Sequence, residues 1–375
     1  MGQSTDRRKL FMRHTTSGQY LDSSRDLTEA VGRLLIVGFE GTEFSEVEEL
    51  VATVRPAGLI FFKRNYPEAG GPWKLRETIE AAQALAGTVL GRELFMALDH
   101  EGGRVQRLPG PYSPLPPAGE AGRLGLGLEE VGEIAARGAR ELAATGFNFN
   151  LAPVLDVAAP VSSFMGDRAF SDDPLTVAAL GRATLAAFHK VGILGAGKHF
   201  PGLGAAIIDP HHELPVINVD ADRLLKTDIL PFRELIGPDL PAVMTTHALY
   251  PALDAEKPAT FSEKIVGRLK GEMNFPGALL TDDLEMGAVV KNYPMGEAAV
   301  SAVKAGHDLA LICRRREYID ECRRALAEAL RSGRLAESRL TEAHSRSDIL
   351  SGRLKNIWPA RETREAWFRE LVGRP

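Results

Sequence analysis

The stretch GILGAGKHFPGLGAAIIDPHHELP, residues 192 to 215, starts as a short apolar run and ends as a loop crowded with ionisable groups. The run itself, GILGAGKHF (192 to 200), has the length and bounding residues of a buried strand. Seven more runs of this kind occur: RLLIVGF (33 to 39), GLIFF (58 to 62), LFMALD (94 to 99), FNFNLAPVLDV (147 to 157), AVMTTHAL (242 to 249), GALLTDD (277 to 283) and DLALIC (308 to 313). Helix-like segments separate them, among them SEVEELVATV (45 to 54), GEIAARGARELAAT (132 to 145) and SEKIVGRLKGEM (262 to 273), several opening on a Ser or Asp cap. Eight such alternations predict an α/β protein of the (β/α)8 TIM-barrel class, with an open doubly wound sheet as the runner-up.

On this reading the barrel ends near residue 335, and the sequence from AESRLTEAHSRSDILSGRLKNI onward supplies one or two C-terminal closing helices. Residues 31–375 are then one domain, preceded by a polar extension over residues 1–30. Of the 375 residues, 44% are hydrophobic and 25% charged, as in a globular protein with a sizeable core. The net charge of -5 comes from scattered residues with no basic stripe, which argues against nucleic acid as a partner. The N-terminal MGQSTDRRKLFMRHTTSGQYLDSSRDL lacks the apolar core of a secretory signal, and no later segment reads as a membrane span. Cys313 and Cys322 fall in a strand and the helix after it, which suits buried thiols and a reducing compartment better than a disulfide framework. A cytoplasmic monomer is expected.

In a parallel barrel the chemistry sits at the C-terminal ends of the strands. Polar residues collect there: KRN after the second run, DHEGGRVQRLPG after the third, Asp156 and FMGDRAF after the fourth, KHFPGLG after the fifth, His247 after the sixth, TDDLEM after the seventh and RRRE after the eighth. The carboxylates are Asp99 with Glu101, Asp156, and Asp282 with Asp283. Two carboxylates across a sugar make a glycosidase, although any single one could instead cap a helix or pair with an arginine of the barrel. Arg104, Arg107, Arg168 and Lys198 at the same rim suit a polar ligand.

The loop after the fifth run admits three readings. GLGAAI lacks the Lys-Ser/Thr tail of a phosphate cradle. Zinc held by His199, His211 and Asp209 lacks the helical H-E-x-x-H spacing, and neither a metal nor another cofactor is expected. The third is a proton-transfer unit in which Asp209 polarises His211, with His212 left as an exposed loop residue.

Taken together, GLIFFKRN, LDHEGGRVQRL, LAPVLDV, GDRAFSDDP, KHFPGLG, DPHHELP, MTTHALYPALD, PATFS and LLTDDLEMGA resemble the family 3 glycoside hydrolases, in particular the single-domain β-N-acetylglucosaminidases of peptidoglycan recycling. The resemblance runs from residue 33 to about residue 320. It implies that Asp282 is the nucleophile, that Asp209 and His211 are the acid/base dyad, and that Asp99, Arg107, Arg168, Lys198 and His199 bind the sugar. This chain departs from the family in having Leu203 where K-H-F-P-G-H-G has its second His, and Pro210 inside the dyad motif, which stiffens the backbone there.

The implied reaction is retaining hydrolysis of terminal β-linked GlcNAc from GlcNAc-1,6-anhydro-N-acetylmuramic acid muropeptides, through a covalent glycosyl-enzyme. A β-glucosidase, a phosphorylase using the same dyad, and a non-catalytic sugar-binding barrel are the alternatives. The two-domain β-glucosidases of the family carry their acid/base on an added domain, so a single barrel with the histidine loop favours the N-acetylglucosaminide.

Overall fold

A computed structural model of the chain describes residues 24–159, 165–237 and 239–373. The expected polar extension lies outside the described residues up to residue 23. A helix at Ser24–Gly32 follows, with Leu27 and Val31 buried in the main core.

Eight parallel strands close a barrel: β1 (Leu35–Val37), β2 (Gly58–Phe61), β3 (Phe95–Leu98), β4 (Phe149–Asn150), β5 (Leu194–Phe200), β6 (Ala242–Thr245), β7 (Ala278–Asp283) and β8 (Leu309–Ile312). Closure is made by β1, which pairs β8 on one side (Leu35 with Ala310) and β2 on the other (Ile36 with Gly58). The (β/α)8 expectation is therefore met and the open sheet excluded. Every predicted run contains a strand, though several are shorter than their runs. The fourth shrinks most: Pro153 has no N–H for the ladder, and beyond Asn150 the chain meets β5 through the Ala152 carbonyl and a bridge from Val154 to Lys198.

The strands are apolar on both faces because both faces are covered. Ile36, Ile60, Ala97, Met244, Leu280 and Leu311 point into the barrel, while their neighbours Leu35, Leu59, Met96, Val243, Leu279 and Ala310 pack outward under the helices. This alternation has a period of two. Continued one step beyond the apolar layers, it puts Asp99 after Phe95 and Ala97, Lys198 after Leu194 and Ala196, and Asp282 after Ala278 and Leu280 on the inner face at the barrel mouth.

The opposite end is sealed by the first of two closing helices, Glu337–Ile357 and Arg361–Val372. Leu350 and Leu354 fill the barrel floor, and the Arg346 guanidinium donates to the carbonyls of Phe275 and Gly277 at 2.9 and 2.7 Å. Among the described residues, this end of the barrel is closed by a buried apolar plug.

Candidate active site

The chain leaves β3 in a tight hairpin, His100–Gly102 against Val105–Gln106. Gly102 and Gly103 take φ of 104° and 55°, and a Cβ on Gly102 would lie 2.4 Å from the Pro116 carbonyl oxygen, so the Gly-Gly pair is a steric requirement of this turn. The hairpin returns Arg107 to Asp99, where its guanidinium donates to Oδ2 at 3.1 Å.

Asp99 and Glu101, two apart on extended chain, share a face. Lys198 Nζ, reaching across from β5, lies 2.7 Å from Asp99 Oδ1 and 2.6 Å from Glu101 Oε1. The other edge of Glu101 receives a bidentate pair from Arg168, Nε to Oε2 at 2.9 Å and a terminal nitrogen to Oε1 at 2.8 Å. Burial opposes ionisation of all these groups, but the opposite charges outweigh it. Asp99 is held well below the usual carboxylate range, Glu101 falls to about 2, and the Lys198 ammonium is pushed up. The result is a preorganised, fully ionised floor of two acids and three bases.

Beside it, Asp156 is fully buried and accepts three hydrogen bonds: from the ring Nδ1 of His199 at 2.6 Å and from the backbone N–H groups of His199 and Leu203 at 3.2 and 2.6 Å. With Nδ1–H given to Asp156, Nε2 is the His199 nitrogen free for a ligand. The Leu203 side chain is buried in an apolar cluster, so this position packs the loop onto the barrel.

The dyad forms as a local turn. Asp209 Oδ1 accepts from the His211 backbone N–H at 2.9 Å and from its ring Nδ1 at 2.7 Å, across Pro210. Partial burial would raise the Asp209 carboxyl, but these hydrogen bonds and the imidazole charge lower it. The His211 side chain is 65% exposed at the mouth. His199 and His211 turn to different carboxylates, Asp156 and Asp209, unlike ligands converging on one metal ion.

On β7, half-buried Asp282 accepts the N–H of Asp283 at 2.8 Å. Asp283 is used structurally: its Oδ1 takes the N–H groups of Glu285 at 3.0 Å and Cys313 at 3.2 Å, and burial pushes its pKa up to about 7. The two acids of TDD are thus different in kind. His247, fully buried, donates from Nε2 to the Asp283 carbonyl at 2.9 Å, and its Nδ1 lies 2.7 Å from the Thr260 hydroxyl, which donates to the Thr246 carbonyl at 2.9 Å. Burial lowers its pKa against the pull of the Asp282 charge, and the charges of His199 and His211 act in the same sense as burial.

All eight residues singled out from the sequence stand at the C-terminal end of the barrel: Asp99 with Arg107, Lys198 and, through Glu101, Arg168; His199 on Asp156; the Asp209–His211 pair; and Asp282 at the end of β7. Glu101, Asp156 and His247 were visible as strand-end residues, but what each one holds was not. A pair of acids two apart, as in DHE, is the signal that could have marked Glu101. Arg104 lies 3.9 Å from Asp167 and is half exposed, as a surface charge would be. Cys313 and Cys322 are free and buried. No helix among the described residues is long and apolar enough to cross a membrane.

An ionised polar floor, a half-buried carboxylate and an exposed imidazole backed by a carboxylate are the parts of a glycosyl-transferring site. Residues 26–349 match the glycosyl hydrolase family 3 N-terminal domain. The chain is 36% identical over 322 residues to a beta-hexosaminidase of Alkalilimnicola ehrlichii, covering 83% of this chain and 88% of that protein. A beta-hexosaminidase of Hydrogenovibrio crunogenus is 34% identical, with 84% and 88% covered. Among solved structures, a family 3 beta-N-acetylglucosaminidase from Paenibacillus sp. str. FPU-7 superposes with a TM-score of 0.84 at 33% identity, over 92% of this chain and 68% of that one. The chain is a glycoside hydrolase and belongs to glycosyl hydrolase family 3.

Proposed function

We propose that the protein is a retaining β-N-acetylhexosaminidase that removes terminal β-linked GlcNAc from GlcNAc-1,6-anhydro-N-acetylmuramic acid fragments in the cytoplasm, with residues 31–375 acting as one catalytic domain. The observation that carries the reading is an Asp209–His211 couple, Oδ1 to Nδ1 at 2.7 Å, on a rim loop whose Pro210 and His211 carbonyls accept from the segment that follows inward, half-buried Asp282. The beta-hexosaminidase names of the relatives support the sugar class.

Asp282 attacks the anomeric carbon as the bond to the leaving oxygen breaks, and His211 gives that oxygen its proton. Because Nδ1–H of His211 is committed to Asp209, the proton delivered is the one on Nε2, and ionised Asp209 stabilises the imidazolium beforehand. In the second step His211 takes a proton from water as the water attacks the glycosyl-enzyme, so the β configuration returns. Asp99, Arg107, Arg168, Lys198 and His199 hold the sugar hydroxyls and amide.

Nitrophenyl glycosides test the reading. Nitrophenol is expected from the GlcNAc-linked and not the glucose-linked compound, at a rate indifferent to phosphate, with free β-GlcNAc as first product; GlcNAc 1-phosphate or equal cleavage of the glucoside would overturn it. Release of GlcNAc from the purified anhydro-disaccharide decides the natural substrate.

A further inference from the structure

The acid/base loop is held by very little of its own. Between Ala206, whose N–H reaches the Leu203 carbonyl at 3.0 Å, and Pro215, whose carbonyl accepts from Leu249 at 2.9 Å, most hydrogen bonds stay inside the loop, from the Asp209 carbonyl to the N–H groups of His212 and Glu213. Among the described residues, two leave it. The N–H of Gly287 donates to the His211 carbonyl at 3.1 Å, and that of Ala288 to the Pro210 carbonyl at 3.1 Å. Both donors lie in the segment into which β7, the strand of Asp282, directly runs.

The approach is close enough to exclude a side chain. A Cβ on Gly287 would lie 2.4 Å from the His212 carbonyl oxygen and 2.7 Å from that of His211. Gly287 is not among the positive-φ residues, so contact distance alone, and no conformational restriction, makes glycine necessary here. The two sides of the contact differ in stiffness. Leu284, Ala288 and Val289 are buried, and His247 pins the start of the segment through the Asp283 carbonyl, whereas Ile207 is 71% exposed and the His211 ring 65%. A methyl group at Gly287 therefore displaces the loop and leaves the nucleophile strand where it is.

We infer that Gly287 is a positioning residue that docks the Asp209–His211 loop on the backbone after the nucleophile, so that the distance between acid/base and nucleophile is set by direct backbone contact. This rests on the roles proposed above for His211 and Asp282. It assigns Gly287 no contact with substrate; its effect passes through His211 alone.

The test compares wild type, Gly287→Ala and His211→Ala on two GlcNAc glycosides. One has dinitrophenolate, which leaves without a proton; the other has a sugar alcohol, which cannot. Azide is added as a nucleophile that needs no base in the second step. His211→Ala is expected to lose about 10³-fold on the alcohol glycoside and to regain dinitrophenol release with azide, yielding the glycosyl azide. Gly287→Ala should show the same selectivity at about 10²-fold, with near wild-type azide-assisted release and an unchanged Tm. Equal losses on both substrates, or none on either, would overturn the inference. If His211→Ala itself shows no leaving-group selectivity, the proposed acid/base role fails instead. Should Gly287→Ala not fold, Ala288→Pro, which deletes the second donor at a helical φ, must give the same pattern for the inference to stand.

Discussion

Asp156 sits beneath His199 with its Oδ2 2.6 Å from Nδ1 of the ring. A buried carboxylate that holds one imidazole nitrogen fixes both the tautomer and the direction of the other. Replacing it by Asn keeps the shape but offers an N–H₂ where an acceptor was, leaving the His199 ring or the Leu203 N–H without a partner. Asp156→Asn should cost about 2 kcal/mol of stability in urea unfolding, and lower kcat/KM by about 10²-fold. Unchanged kinetics would show that the His199 tautomer is irrelevant to turnover.

The two acids of TDD separate by mutation. Asp282→Asn is expected to reduce kcat by at least about 10³-fold while the protein still unfolds cooperatively. Asp283→Asn should stay within about 10-fold of wild type, because burial already raises Asp283 to about 7 and an amide oxygen can accept the same N–H groups from Glu285 and Cys313. If the losses were reversed, the nucleophile would be Asp283. A fluorinated glycosyl donor read by peptide mass spectrometry should label Asp282.

Lys198 joins two acids that would otherwise repel. Glu101 is held near 2 against an ordinary value of 4.5, so its contribution is complete above about 4.5 and is lost as pH falls toward 2; Asp99 adds to the same acid limb. Lys198→Met leaves Asp99 to Arg107 and Glu101 to Arg168. It should destabilise the protein by about 3–5 kcal/mol at pH 7 and by clearly less at pH 4, where the carboxyls can take up protons. Urea midpoints at the two pH values measure this, and an equal loss at both would contradict the electrostatic origin.

How much of this was readable beforehand follows from which distances along the chain matter. Strand parity is local, so the run GALLTDD already implies that Asp282 and Asp283 face opposite ways, and the eight runs with their polar ends point to the barrel and its mouth. The dyad too is local, because Asp209 and His211 bond within one turn. The partners of Glu101, Asp156 and His247 come from other elements, at separations from 13 residues (His247 with Thr260) to 97 (Glu101 with Lys198). No periodicity in a single sequence encodes such lateral pairing. The run 147 to 157 overstated its strand because the regular ladder stops at Asn150, and beyond it Ala152, Pro153 and Leu155 bond β5 only out of the strand pattern. Gly287 falls in the LLTDDLEMGA motif, but its purpose was not readable there, since the requirement for glycine is set by carbonyls of a loop far away in sequence.

Against the Gly202 turn that follows β5 lies a buried acid with the opposite pH signature. Asp228, 1% exposed, packs against Gly202, where a Cβ would come within 2.6 Å of the Asp228 Cβ, and its Oδ2 has no partner among the described residues. Burial raises its pKa to about 7, with Arg223 opposing and the Asp156 charge adding to the rise. Between the ordinary value of 3.8 and 7 the folded protein keeps a proton that the unfolded chain has released. Stability from this group is therefore full below about 4, declines as pH rises through that window, and is flat above it. Asp228→Asn is neutral throughout and removes the slope: relative to wild type, its unfolding free energy should improve by about 1–4 kcal/mol between pH 4 and pH 8. Stability profiles that run parallel from pH 4 to 8 would mean that Asp228 does not titrate in this range.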